Sequence, residues 1–164
     1  MTAHYAPLTA VLGPIGATTL KTAHALIASG KARDKIILEE FCMNTALDIV
    51  RRWYATGDVS LLAPHIEWKV LETFPAGGTY NGRDDIAERF FPAVKSQFAV
   101  YETRPQRFVA DGETVVSTGI YHVQGKSGRT ADIAFAHIWT VQDGQIAAFQ
   151  QIADTAAMQD VLGR

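Results

Sequence analysis

The chain has 164 residues, 48% of them hydrophobic and 20% charged, which suits one well-packed core and is too short for two full domains. The formal net charge is -2, and no cluster of Lys and Arg exists beyond Arg51 and Arg52, so nucleic acid is not expected as a partner. The one cysteine, Cys42, excludes an intramolecular disulfide and a Cys-rich zinc site, and a cytoplasmic location is the expectation.

The N-terminal residues 1–33 are predicted to be an extension that is partly helical. Gly13 and Pro14 interrupt an otherwise apolar run, so a membrane-spanning helix is not expected. Met1 to Leu12 contains no Lys or Arg, which argues against a secretory signal. A short helix is predicted from Thr18 to Ser29, because apolar residues repeat there at helical spacing.

The main domain is predicted over residues 34–164 and starts with helices. The predicted helices, each placed by a capping residue and an apolar stripe, run from Asp34 to Tyr54, from Asp58 to Leu62, and from Asp84 or Asp85 through Val94. The predicted strands, each bounded by turn residues, are 65–71, 98–103, 106–110, 113–123, 129–142 and 145–153. A last helix, Thr155 to Leu162, is capped by Asp154. Helices followed by a run of strands predict an α+β fold, in which a curved antiparallel sheet wraps around the N-terminal helices as a cone.

The hairpin from Phe135 to Thr155, FAHIWTVQDGQIAAFQQIADT, is the most informative segment. A three-residue loop, Gln142 to Gly144, is expected to join its strands. The expected pairs are Val141 with Gln145, His137 with Phe149, and Phe135 with Gln151. One face then carries Phe135, His137, Trp139, Phe149 and Gln151. A His and a Gln among large aromatic side chains are typical of a small-molecule cavity, although a hydrogen-bonded core histidine is an equally good interpretation of His137.

The opposite face of the hairpin is apolar as well. It carries Ala134, Ala136, Ile138, Ile146, Ala148 and Ile152. No predicted helix is left over to cover this face, and contiguous exposed apolar surface marks an interface. The pattern therefore predicts a two-fold homodimer packed through this sheet surface.

Several segments carry a resemblance to a known family: ATGD at the end of the first long helix, PHIEW at the start of the first strand, YNGRDDI before the third helix, and the terminal hairpin. In this order they resemble the nuclear-transport-factor-2-like superfamily, and within it the SnoaL-like, ketosteroid-isomerase-related branch. The resemblance covers about residues 43–158. It implies a cystatin-like α+β roll with an apolar cavity, no cofactor, and a small apolar or polycyclic carbonyl compound as the ligand.

The resemblance extends to individual residues. Ketosteroid isomerases have a general-base Asp at the position of Val70, so their base is missing here. Their oxyanion Tyr falls near Val50, with Tyr54 one turn later, and their second oxyanion donor aligns with His137. In limonene epoxide hydrolase an Asp of the last strand falls at Gln151, which cannot act as a base. Neither of these two mechanisms is therefore implied.

SnoaL-like cyclases need one acid-base group in an apolar chamber, and the resemblance implies His137 for that role, alone or with Asp154. Asp154 also suits the helix N-cap, which is the competing interpretation. The implied ligand-binding residues are Tyr54, Trp68, Tyr80, Phe91, His122, Phe135, Trp139, Phe149 and Gln151. Two functions stay open: a cofactor-independent isomerase, cyclase or lyase, and a non-catalytic ligand-binding or dimeric interaction module with a filled or inert pocket.

A metal site is not predicted. The turn between strands 113–123 and 129–142 is expected to place His122 roughly opposite Ala131 and His137 near Val116, which separates the two histidines by roughly 20 Å along the ladder. No Gly-rich phosphate loop precedes a helix, so a nucleotide cofactor is not expected either.

Overall fold

The computed structural model describes residues 10–11, 21–22, 25, 36–37 and 45–164. The chain divides into two compact units, Met1–Met43 and Asn44–Arg164. In the first unit strand β1 (Ala10–Val11) pairs in parallel with strand β2 (Ile36–Ile37), and residues 21, 22 and 25 are helical.

The long helix predicted from Asp34 is wrong at its start, because Ile36 and Ile37 are extended. The part of that helix between residues 38 and 44 lies outside the described residues. So does most of the helix predicted from Thr18 to Ser29, as well as the predicted domain boundary at residue 34, which stays a prediction.

The second unit combines helices with one sheet. Its helical elements are α1 (Ala46–Thr56), a 3-10 turn (Val59–Leu61), α2 (Arg83–Asp85), a π-helical turn (Ile86–Phe90), α3 (Phe91–Lys95) and α4 (Thr155–Leu162). Its strands are β3 (Leu62–Val70), β4 (Gly78–Asn81), β5 (Phe98–Asp111), β6 (Thr114–Gly125), β7 (Thr130–Gln142) and β8 (Gln145–Ala153). The six-stranded sheet has the order β4-β3-β8-β7-β6-β5 and is antiparallel except for the parallel pair β3 and β8. The predicted α+β fold with a curved sheet is confirmed.

A capping box sets the start of helix α1, and a left-handed glycine sets its end. The Thr45 hydroxyl accepts the backbone N–H of Asp48 at 3.2 Å, and the Asp48 carboxylate accepts the backbone N–H of Thr45 at 3.3 Å, which together form a capping box. Gly57 ends the helix in the left-handed conformation with φ of 62°. The buried residues of α1 are Ile49, Val50 and Trp53. Because α1 contacts β5 to β8, Tyr54 at its C-terminal end is brought to the concave side of the sheet.

The turn between β7 and β8 is tighter than predicted. Asp143 (φ 50°) and Gly144 (φ 76°) both have positive φ, so they form a two-residue turn of type I′, and Gln142 pairs with Gln145. The predicted three-residue loop is wrong, because Asp tolerates the left-handed conformation that the shorter turn needs at its first position.

A bulge in β8 then shifts the register. The pairs on its two sides are Val141 with Ile146 and Thr140 with Ala148, so Ala147 has no partner across the ladder. Farther along, Trp139 pairs with Phe149, His137 with Gln151, and Phe135 with Ala153. The predicted partner of Val141 is therefore wrong by one residue, and the predicted partners of His137 and Phe135 are wrong by two. Because side chains alternate with a period of two, this displacement leaves the predicted faces unchanged there.

The cavity side of the hairpin is buried as expected, and the opposite face is partly exposed. The residues predicted for the cavity side are all buried: Phe135, His137, Trp139, Phe149 and Gln151. On the opposite face Ile152 is 46% exposed, and Ala136, Ile138 and Ala148 are half-buried. Ile146 was placed on that face wrongly, since the bulge turns it into the core. The homodimer predicted for this surface stays a prediction.

Strands β6 and β7 pair with Ser117 opposite His137 and with His122 opposite Asp132. The predicted register, with Val116 near His137, is therefore wrong by one residue. A one-residue difference reverses the face on which a side chain lies. Ser117 consequently shares the face of His137, and His122 lies on the other face of the sheet.

Candidate functional site

A cavity of about 490 Å³ opens on the concave side of the sheet, beside α1 and the helical stretch from Ile86 to Lys95. This volume falls within the range of small-molecule sites. Its wall is mainly aromatic and consists of Trp53, Tyr54, Gly57, Val59, Trp68, Ala87, Phe90, Phe91, Lys95, Tyr101, Thr103, Tyr121, His137, Trp139, Phe149 and Gln151. All three tryptophans of the chain lie in this wall.

Many of the residues predicted for the site lie in the wall: Tyr54, Trp68, Phe91, His137, Trp139, Phe149 and Gln151. The structure brings these together from α1, β3, α3, β7 and β8. Four predicted residues lie outside the wall: Tyr80, His122, Phe135 and Asp154.

Two of the outlying residues support the wall from behind. Phe135 stacks on the His137 ring with the centroids 4.1 Å apart, so it fixes the plane of the imidazole. The Tyr80 hydroxyl donates a hydrogen bond to the carbonyl oxygen of Ala76 at 2.8 Å. Its ring packs on Phe90, with a centroid distance of 5.2 Å.

The other two outlying residues lie at the surface. Asp154 is exposed and accepts the backbone N–H of Ala157 at 3.0 Å, which is the N-cap role that competed with catalysis in the sequence. His122 Nδ1 lies 2.6 Å from a carboxylate oxygen of Asp132. His122 lies on the face of the sheet opposite to His137, and Asp154 is not among the residues that line the cavity.

His137 lies at the centre of a buried hydrogen-bond network. Its Nδ1 is 2.6 Å from the Tyr54 hydroxyl, and its Nε2 is 2.5 Å from the Tyr121 hydroxyl. The side chain is only 4% exposed. Burial lowers the pKa of His137 to about 3, so the imidazole is neutral at physiological pH. Burial also raises the pKa of Tyr54 and of Tyr121 above the usual tyrosine value, which keeps both hydroxyls protonated.

The network continues beyond both tyrosines. On one side the Tyr54 hydroxyl lies 2.7 Å from Ser117 Oγ, and Ser117 Oγ accepts the indole N–H of Trp139 at 2.9 Å. On the other side the Gln151 amide donates to the Tyr121 hydroxyl at 2.8 Å. The result is one continuous chain of contacts from Trp139 to Gln151.

Two buried polar atoms in the wall have no partner among residues 45–164: the indole nitrogen Nε1 of Trp68 and the amide oxygen Oε1 of Gln151. Both side chains are almost completely buried, at 3% and 2% exposure. A buried polar atom without a hydrogen bond costs about 1–3 kcal/mol, so native proteins keep few of them. Both residues also line the cavity.

The wall carries little charge. None of the described residues that line it has a carboxylate, and the basic residue among them is Lys95, an exposed side chain whose Nζ lies 5.8 Å from the centroid of the Phe91 ring. Among the described residues no group of three or more His, Cys, Asp and Glu side chains is placed to hold a metal ion. The described helices include none that is both long and apolar enough to span a membrane.

Sequence reasoning missed Ser117, Tyr101 and Tyr121. The alternation in strand 113–123 does place Ser117 and Tyr121 in phase with each other, which was the available signal. The predicted register was wrong by one residue, so it aligned Val116 with His137 and hid the polar cluster.

Residues 50–149, more than half of the chain, match the family model described as a SnoaL-like domain. The chain belongs to the SnoaL-like domain family. The matched segment of this SnoaL-like protein runs from within α1 to within β8, so it contains Tyr54, Ser117, Tyr121, His137 and Trp139 of the buried network.

Solved structures resemble the SnoaL-like protein over most of their length. A nuclear-transport-factor-2-like protein of unknown function from Burkholderia pseudomallei covers 73% of this chain and 98% of its own at 27% identity, with a TM-score of 0.66. TerC, co-crystallised with polyporic acid, has the same 27% identity and 0.66 TM-score over 73% of this chain and 98% of its own. A Catenulispora acidiphila protein with a ketosteroid isomerase-like fold, in complex with trimethylamine, has 15% identity over 71% of this chain and 92% of its own; its TM-score of 0.62 shows the shared fold alone. A search of curated proteins finds no match.

Proposed function

We propose that this SnoaL-like protein binds a small, flat, largely apolar molecule that carries both a hydrogen-bond acceptor and a hydrogen-bond donor. The observation that carries the proposal is the pair of buried, unpartnered atoms in the wall, Trp68 Nε1 and Gln151 Oε1. An indole N–H can only donate and an amide oxygen can only accept. A ligand that pairs both atoms has to offer one group of each kind and has to shift the wall slightly to reach them, because both atoms are buried. The aromatic wall suits a flat apolar body.

The spacing of the two atoms limits the size of the polar part of the ligand. Trp68 pairs with Phe149 across β3 and β8, and Gln151 follows Phe149 by two residues on the same face of β8. Two residues along a strand span about 7 Å. The acceptor and the donor of the ligand are therefore expected on the same ring or on adjacent rings, as in a hydroxylated aromatic ketone.

The charge of the wall favours a neutral or acidic ligand. Because none of the described residues that line the cavity has a carboxylate, a cation finds no counter-ion among them, whereas the exposed Lys95 of the wall can pair with an acidic group. The co-crystallisation of TerC, 27% identical, with polyporic acid supports a ligand of this class.

The finer part of the proposal is chemical. We infer a cofactor-independent proton-transfer enzyme, an isomerase, cyclase or lyase, in which His137 is the acid-base group and exchanges protons through Tyr54 and Tyr121. The contacts of both ring nitrogens with hydroxyls support this role. Since the pKa of His137 is lowered to about 3, the ring stays neutral and is a weak base, so its role in this mechanism is a relay that takes a proton at one nitrogen as it releases one at the other. Asp154 has no part in the proposal, because it lies outside the wall.

A non-catalytic binding protein is the second candidate function. The absence of a carboxylate among the wall residues that the structure describes favours it, since carboxylates are the usual bases next to a carbonyl group. A location in the cytoplasm and a homodimer through the outer sheet surface complete the proposal and are independent of this choice.

The binding proposal is tested by NMR of the indole N–H groups in ¹⁵N-labelled protein. The chain has only three tryptophans and all lie in the wall, so each gives a reporter signal. Addition of 6-hydroxy-2-acetylnaphthalene is expected to move the Trp68 signal downfield, as a free N–H becomes hydrogen-bonded. The Trp139 signal is expected to shift little, since its N–H already bonds Ser117.

Calorimetry with variants provides the control. Gln151→Leu and Trp68→Phe are each expected to weaken binding of this hydroxyketone by about tenfold. Trp53→Phe is the matched control, because Trp53 lies in the same wall and its nitrogen is not among the buried unpartnered atoms. Equal affinity for 6-hydroxy-2-acetylnaphthalene and 2-ethylnaphthalene, which has no polar group, would contradict the proposal.

Catalysis is separated from binding by proton exchange in D₂O. For bound 2-acetylnaphthalene, a proton-transfer enzyme is expected to speed the exchange of the acetyl methyl protons, measured as the loss of their ¹H signal. His137→Gln is expected to abolish that acceleration. A ligand that binds without any acceleration in the unmodified protein would support the non-catalytic candidate.

A further inference from the structure

The direction of each hydrogen bond from Trp139 to His137 follows from the indole of Trp139, which can act only as a donor. The indole N–H of Trp139 can only donate, so Ser117 Oγ is its acceptor. Within residues 45–164 the remaining partner of the Ser117 hydroxyl is Tyr54. The Ser117 proton therefore points to the Tyr54 oxygen, because in the opposite arrangement a fully buried hydroxyl proton would have no acceptor.

The same reasoning passes from Tyr54 to the imidazole. Once the Tyr54 oxygen accepts from Ser117, its own proton points to His137 Nδ1, its other partner. A neutral imidazole carries one proton. With Nδ1 as the acceptor, that proton is on Nε2 and is donated to the Tyr121 oxygen. Burial of His137, which keeps the ring neutral, is consistent with this assignment.

Tyr121 then receives two donors. Both His137 Nε2 and the Gln151 amide point at its oxygen, so its own proton cannot return to either of them. Tyr121 lines the cavity. We infer that the network from Trp139 to His137 is polarised in one direction, with His137 as the Nε2–H tautomer, and that Tyr121 is the hydrogen-bond donor that the cavity presents to a carbonyl or enolate oxygen of the ligand.

This inference deepens the proposed function, because it names the atom that meets the ligand oxygen and makes Ser117 a positioning residue. The neighbouring hydroxyl is that of Tyr101, also in the wall, with its ring centroid 5.4 Å from that of Tyr121. The Tyr101 hydroxyl is within hydrogen-bonding reach and can accept the Tyr121 proton. A ligand oxygen replaces it, and two donors on the Tyr121 oxygen strengthen the hydrogen bond that its proton makes.

The tautomer is measured first, in the protein without ligand. ¹⁵N NMR of histidine-labelled protein reports which ring nitrogen carries the proton, and His137→Gln assigns the signals among the five histidines of the chain. The expected result is an unprotonated Nδ1 and a protonated Nε2. An Nδ1–H tautomer would overturn the inference, whether or not the cavity binds any ligand.

Ser117→Ala tests whether the network sets the tautomer. Without the Ser117 hydroxyl the Tyr54 hydroxyl is free to accept from Nδ1, so a mixture of the two tautomers is expected. Ser96→Ala is the matched control, because that hydroxyl bonds the carbonyl oxygen of Ala93 outside the network. Unchanged ring signals in Ser117→Ala, in a variant that retains its circular dichroism, would show that Ser117 does not position the proton.

The donor is identified by calorimetry with 2-acetylnaphthalene and 2-ethylnaphthalene. Tyr121→Phe is expected to weaken binding of the ketone by about tenfold and to leave binding of the hydrocarbon unchanged. Tyr101→Phe removes a hydroxyl from the same wall and is expected to have the smaller effect. A larger loss of affinity with Tyr101→Phe than with Tyr121→Phe would overturn the assignment of Tyr121 as the donor while the binding proposal stands. If neither probe binds the unmodified protein, the binding proposal is overturned, and the tautomer measurement alone decides whether the network is polarised.

Discussion

Two tryptophans of similar burial give the sharpest stability prediction, because they differ in one hydrogen bond. Trp68 and Trp139 are 3% and 1% exposed, and both pack on Phe149, with centroid distances of 3.7 Å and 4.5 Å. The indole N–H of Trp139 bonds Ser117, whereas that of Trp68 has no partner within residues 45–164. Replacement of each by Phe removes the same atoms, so the packing loss is similar in the two variants.

The hydrogen-bond contributions then have opposite signs. Trp139→Phe loses a bond with a net value of about 1 kcal/mol, and Trp68→Phe removes an unpaired N–H whose burial costs about 1–3 kcal/mol. The free energy of unfolding of Trp68→Phe is therefore expected to exceed that of Trp139→Phe by about 2–4 kcal/mol. Against a total stability of about 5–15 kcal/mol, such a difference is easily resolved.

Urea denaturation followed by far-ultraviolet circular dichroism measures it, since tryptophan fluorescence changes with the substitutions themselves. The denaturant slopes of the two variants have to agree for the comparison to hold. A Trp68→Phe variant that is as unstable as Trp139→Phe, or less stable, would refute the reasoning that Trp68 Nε1 is a buried donor awaiting a ligand.

Three further predictions concern the histidine, a glycine and the outer surface. The pKa of His137 is lowered from 6.5 to about 3 by folding, so between these pH values the unfolded chain binds one more proton than the folded protein. The free energy of unfolding is therefore expected to fall, as the pH decreases below 6.5, by up to about 1.4 kcal/mol per pH unit. Urea titrations at several pH values should show this decrease in the unmodified protein, and the contribution of His137 should be absent in His137→Gln. Gly119→Ala is expected to lower the stability by about 1–3 kcal/mol or more, measured by thermal denaturation, because the added Cβ would lie 2.2 Å from the backbone oxygen of Arg104. Ala110→Gly is the control. Gly144→Ala does not suit this purpose, since the φ of 76° at Gly144 strains any side chain. Light scattering at micromolar concentration is expected to show a dimer that Ile152→Glu converts to a monomer, whereas a monomeric unmodified protein would contradict the interface on the outer sheet surface.

The faces of the elements could be predicted from the sequence because local periodicity determines them. The alternation from Phe135 to Gln151 correctly placed His137 and Gln151 among aromatic side chains on the buried face, even though the turn was shorter than expected. Helix α4 was also predicted with its bounds, Thr155 to Leu162, and its Asp154 cap, since a cap is a contact between residues three apart.

The start of helix α1, at Ala46 after the N-cap Thr45, shows where local signals fail. Apolar residues from Ile37 onward fitted a helical stripe, but Ile36 and Ile37 are in a strand, and the capping box of Thr45 and Asp48 determines the start of α1. A helix that begins at Asp34 and one that begins after Thr45 both fit helical periodicity. The strand pairing of Ile36 with Ala10, a residue far away in the chain, leaves no trace in such a local pattern.

By itself the sequence determined the kind of fold, the aromatic face of the hairpin and the presence of an imidazole on that face. Only the tertiary structure decided what the imidazole touches. His137 contacts Tyr54 of helix α1 and Tyr121 of β6 directly, and Tyr54 links it to Ser117 of β6. These residues meet only because a turn sets the register of β6 against β7 and because α1 packs on the sheet. A shift of one residue in that register would turn Ser117 and Tyr121 to the opposite face, and no local pattern of residues carries that information.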